Sequence, residues 1–75
     1  MNNNYFGTLI AIEGARTEPG STATITKETS RYADVRFDLS ASGPRCYRLS
    51  KRNRQESSAL NMVRMLNDGR LHRHA

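Results

Sequence analysis

Seventy-five residues, 36% of them apolar and none of them tryptophan, suffice for one small core and not for two, since so short a chain buries only about 60–65% of the surface its unfolded form exposes. The single cysteine, Cys46, excludes an internal disulfide and a cysteine-based structural metal site, and no cofactor is expected. The net charge is +5, and no apolar run approaches the roughly 18 residues that cross a bilayer.

In chain order, the polar start Met1-Asn2-Asn3-Asn4 lacks the features of a secretory signal, so a cytoplasmic location is the expectation. Tyr5 to Glu13 reads as a first strand with both faces fairly apolar, ending in the loop 14–20 with its glycines and Pro19. Ser21 to Lys27 reads as a second strand, with Thr22, Thr24 and Thr26 toward solvent and Ala23 and Ile25 inward. After the short turn 28–30, Arg31 to Leu39 alternates Ala33, Val35, Phe37 and Leu39 with Tyr32, Asp34, Arg36 and Asp38, the period of a sheet with one buried face. Residues 40–44 break it, and Arg45 to Ser50 reads as a fourth strand with Tyr47 and Leu49 inward.

The period then changes. Asn53 followed by Glu56 has the spacing of a capping box. Ala59, Met62, Val63 and Leu66 recur on one helical face, and Gly69 suits a left-handed helix end. The spacing predicts a helix over 54–68 and a basic tail over 70–75.

The expected fold class is therefore α+β in the order β-β-β-β-α. A small antiparallel sheet would carry one C-terminal helix, within one domain whose core spans about 5–69. A curled barrel capped by that helix is the alternative. Ile10, Ile12, Ile25, Val35, Phe37, Tyr47 and Leu49 would gather under the helix. Leu60 and Met65 widen the apolar arc of the helix beyond what so small a sheet covers, which points to a homodimer seam or a protein partner, with Arg64 beside it, or else to cover by the first segment, apolar on both faces, wrapping around onto them.

Charge is unevenly placed. Residues 1–44 hold four basic groups against five acidic ones, whereas 45–75 hold eight against two, and ten of the twelve basic residues are arginine. Arg45, Arg48, Lys51, Arg52 and Arg54 fall in ten residues without an acid between them. Cations at a helix start oppose the helix dipole. A phosphate held jointly by arginine forks and by backbone N–H groups at the helix start would account for them. Arg16 in the first loop and Tyr32 with Arg36 on the polar strand face extend this candidate nucleic-acid surface, Tyr32 as a stacking platform.

Other chemistry finds less support. His72 and His74 lack a convincing third metal ligand, so no metal site is expected. The acids form no pair poised for acid–base work, and there is no glycine-rich phosphate loop, so the chain is not expected to be an enzyme. Two functional classes stay open: a non-catalytic nucleic-acid-binding protein, and a protein-binding inhibitor or adaptor that uses the helix face.

Overall fold

A computed structural model describes residues 4–71. The element order is α1 (Asn4–Thr17), β1 (Thr22–Glu28), β2 (Tyr32–Leu39), β3 (Gly43–Ser50) and α2 (Arg54–Asn67). The α+β class is as expected, but the sheet is open, with three antiparallel strands ordered β1-β2-β3. The segment expected as a first strand is instead helical. It has no place in a barrel.

The reason lies in which side chains of α1 are buried. Thr8, Ala11, Ile12 and Ala15 are buried, at the i, i+3, i+4, i+7 spacing of one helical face. Tyr5, Phe6, Ile10 and Ile12 favour strands by type and surround the segment with apolar groups, so both periods are present in it. Tertiary packing selects the helical one. As a result Ile10, expected in the core, is 72% exposed, and Phe6 one turn earlier is 61% exposed. The helix also takes in residues 14–17 of the expected loop.

Both helices pack on one face of the sheet. Ala23, Val35, Phe37, Leu39 and Leu49 from the strands form one cluster with Ile12 and Ala15 of α1 and with Ala59, Leu60, Val63 and Leu66 of α2. Ile25, Tyr47 and Met62 pack at its margin. The alternation in β2 is as expected, with Ala33, Val35, Phe37 and Leu39 all buried. Leu60, expected to face a partner, is 4% exposed, because a second helix lies beside α2 and completes the cover of its broad apolar arc. Met65 is half-buried.

Two local devices set the geometry of the site. The β1–β2 turn has no glycine, and the Thr29 hydroxyl closes it by accepting from the N–H groups of Arg31 (3.1 Å) and Tyr32 (3.2 Å). In β1 the register with β2 shifts between Ile25 and Lys27. This bulge inverts the alternation, so that Lys27 pairs with Asp34 on the outer face while Glu28, opposite Ala33, turns toward α2. The helix end is as expected. Gly69 has φ +76°, its N–H donates to Leu66 O, and the Arg70 N–H donates to Met65 O, the paired bonds of a Schellman motif.

Candidate nucleic-acid interface

The cations of the Arg-rich segment fall into three places. Arg48 lies on the outer face of the sheet, the face that neither helix covers, in register with Asp34. Its Nε and Nη2 donate to the two carboxylate oxygens of Asp34, at 2.8 and 3.1 Å. Its guanidinium carbon sits 4.0 Å from the centre of the Tyr32 ring, and Lys27 Nζ stands 5.8 Å from the same centre. The hydrogen bonds from Arg48 hold the Asp34 carboxyl below its ordinary pKa, and Asp34 in turn raises that of Arg48. Tyr32 therefore carries an arginine on its ring, where an uncovered ring was expected. Arg36, also on this face, donates to Asp38 at 3.0 Å.

Arg45 falls elsewhere. It is opposite Phe37 in the register, and so on the helix side of β3, yet it is exposed at the margin of the sheet.

Lys51, Arg52 and Arg54 occupy the β3–α2 connection. Lys51 bridges to Glu28 at 2.7 Å, and Glu28 also accepts from Arg64. The bond from Arg64 and then that from Lys51 draw the Glu28 carboxyl down to about 2. Arg64, expected at a partner face, thus ties α2 to the end of β1. Arg52 and Arg54 are exposed, and among the described residues neither has an ion pair. The Lys51 N–H donates to Arg31 O at 2.8 Å, which brings the β1–β2 turn alongside. Arg31 joins this end of the molecule, exposed and also without an ion pair among the described residues. It was absent from the expected set, although two successive hairpins necessarily place the start of β2 beside the end of β3.

Two expectations fail at this site. The start of α2 offers few open donors, because Asn53 Oδ1 accepts from the N–H groups of Gln55 (2.9 Å) and Glu56 (3.2 Å). Glu56 reaches back to the Ser50 N–H at 2.8 Å. A side chain that caps its own helix takes the N–H groups an anion would need. Arg16 is also remote. It lies in the last turn of α1, paired with Glu13 at 3.2 Å. That end of α1 packs near Leu39 and the β2–β3 turn, at the opposite end of the sheet from Lys51.

The carboxylates are accounted for throughout. Glu13, Glu28, Asp34, Asp38 and Asp68 each hold a basic side chain. Glu18 accepts from the Ala41 N–H, and Glu56 from Ser50 as described. Among the described residues, Arg31, Arg45, Arg52 and Arg54 are the arginines left without a carboxylate, three of them at one end of the sheet.

Cys46 is exposed on the outer face, opposite Arg36. The described residues enclose no pocket, hold no group of three metal-ligating side chains, and include no helix long and apolar enough to cross a membrane. His72 and His74 lie outside the described residues. Comparison with known protein families, with curated proteins and with solved structures found no match to this chain.

Proposed function

We propose that this chain binds nucleic acid without catalysing a reaction on it, making its phosphate contacts at the end of the sheet that carries Arg31, Arg52 and Arg54. One observation carries this reading: every acid of the chain has a partner within the fold, while these three arginines have none among the described residues. Arginines gathered without counter-charge repel one another and oppose the dipole of α2, a cost that an external polyanion removes. Lys51 stands among them with its charge already shared with Glu28.

The test is the salt dependence of binding. Each duplex phosphate neutralised contributes about 0.9 to the slope of log K against log salt. Arg31→Gln, Arg52→Gln and Arg54→Gln together should weaken binding to every sequence and lower the slope by about 2–3. Arg16→Gln should leave both unchanged. An unaltered slope in the triple variant would remove these residues from the interface.

A second reading, a protein-binding inhibitor or adaptor, gains one observation of its own. The exposed apolar pair is Phe6 and Ile10 on α1, so a partner face would lie there and not at Leu60 on α2. Substituting Phe6 and Ile10 with serine should abolish complex or dimer formation, followed by light scattering, while the monomer stays folded.

A further inference from the structure

The outer face of the sheet has no helix over it, and toward the end where β2 begins and β3 finishes the Arg48 guanidinium lies over the Tyr32 ring. We infer that this face takes a single-stranded nucleic acid, with one base stacked on the outward plane of the Arg48 guanidinium. This inference rests on the nucleic-acid reading above and gives that reading its ligand class.

A guanidinium is flat and delocalised, and a nucleobase stacks on it as it does on an aromatic ring. On most protein surfaces an arginine must first be immobilised, which costs binding energy. Here that ordering already exists. Asp34 grips Arg48 through two hydrogen bonds, and the guanidinium carbon lies over the Tyr32 ring at 4.0 Å from its centre. The Arg48 side chain, held in this way, is nevertheless 59% exposed.

The neighbouring residues fit the same occupant. Thr24 on β1 and Cys46 on β3, short exposed side chains on either side of Arg36, leave this face without a covering element. A flat face suits splayed bases, whereas a duplex presents its bases edge-on inside grooves that only a protruding element enters. Asp34 and Asp38 on this face would repel phosphates lying directly over it. The phosphates are drawn instead to the rim, where β3 ends at Ser50 and the chain continues through Lys51 and Arg52. Bases over the Arg48–Tyr32 pair and backbone over the adjoining basic rim is the arrangement this charge pattern permits.

The experiment needs one oligonucleotide sequence in three forms: a DNA strand, an RNA strand and the DNA duplex. Binding is read by anisotropy, and Cys46 alkylation by a maleimide is timed with and without saturating strand. The expected result is tighter binding of a single strand than of the duplex, with alkylation of Cys46 slowed at least tenfold by the strand. The two single-strand arms identify which nucleic acid the face takes. Arg48→Lys keeps the charge and loses the fork, and should weaken single-strand binding about tenfold with an unchanged salt slope. Cys46 protection uses the unaltered protein, so the result does not depend on that variant folding. Duplex binding as tight as strand binding, or alkylation at the same rate in the saturated complex, would overturn the inference while the nucleic-acid reading stands. Absence of binding in all three arms at low salt would overturn both.

Discussion

Thr8 is the residue at which the core is least settled. It is fully buried in α1, and its hydroxyl has no hydrogen-bond partner. A buried hydroxyl gives up its bonds to water and here gains nothing in return, a penalty of about 1–3 kcal/mol. Valine has the same shape with a methyl in place of the oxygen and nearly the same helix propensity. Thr8→Val should therefore stabilise the fold by about 1 kcal/mol, seen as a higher urea midpoint at constant m-value. Asp34 and Arg48 show the opposite economy. Their charges are spent on each other, so the residue most prominent in the basic segment is also among the most tightly engaged.

At the scale of elements, α1 and β3 meet through a glycine. A Cβ on Gly7 would stand 2.8 Å from the Tyr47 ring, closer than real contacts allow. In an isolated helix alanine would be favoured over this glycine by about 1 kcal/mol. Against Tyr47 it must displace a ring that packs edge-on to Phe37, with centroids 6.1 Å apart. Gly7→Ala should thus cost about 1 kcal/mol in the wild-type background, and should become stabilising once Tyr47→Ala has removed the ring. A double-mutant cycle by urea denaturation reads the change of sign. Long-range packing of this kind also explains why α1 escaped the sequence. Strands β2 and β3 and helix α2 announce themselves through one consistent period each, and their boundaries fall within two residues of expectation. The apolar groups of α1 surround it, so its sequence holds two periods, and the choice between them is made by packing of Thr8, Ala11, Ile12 and Ala15 against distant parts of the chain. Leu60 is buried, as in the reading that the first segment covers it, but that segment packs beside α2 as a helix where a strand was expected. At the candidate site, the cations of the 45–54 segment were visible as composition. Their division among three places follows from the register, and Arg31 enters only through the pairing of two hairpins.

Across the whole molecule, the ion pairs predict how stability responds to acid. The Glu28 carboxyl titrates at 4.5 in the open chain and at about 2 in the fold, where Arg64 and Lys51 hold it ionised. A group whose pKa is lowered on folding stabilises the fold above its open-chain value and loses that contribution as pH falls toward its folded value. The window is therefore pH 4.5 down to 2. Asp34 contributes with the same sign through Arg48. Glu28→Gln should leave a melting temperature that falls less steeply across this window than that of the wild type, while lying below it near neutral pH. Equal slopes in the two proteins would place the acid sensitivity on other carboxylates.

A three-stranded sheet ends in two unpaired edges, and rows of open backbone groups invite another strand to add on, the first step toward aggregates. Here neither edge is a clean template. The bulge at Thr26 breaks the spacing of β1, and Pro44 withholds an N–H near the start of β3, where Arg45 follows, exposed and without an ion pair among the described residues. An incoming copy would meet a register it cannot continue on one side and a missing donor with electrostatic repulsion on the other. The irregularity that sends Lys27 to the outer face and Glu28 to α2 thus also helps to keep the chains dispersed at concentrations where a straight-edged sheet would grow.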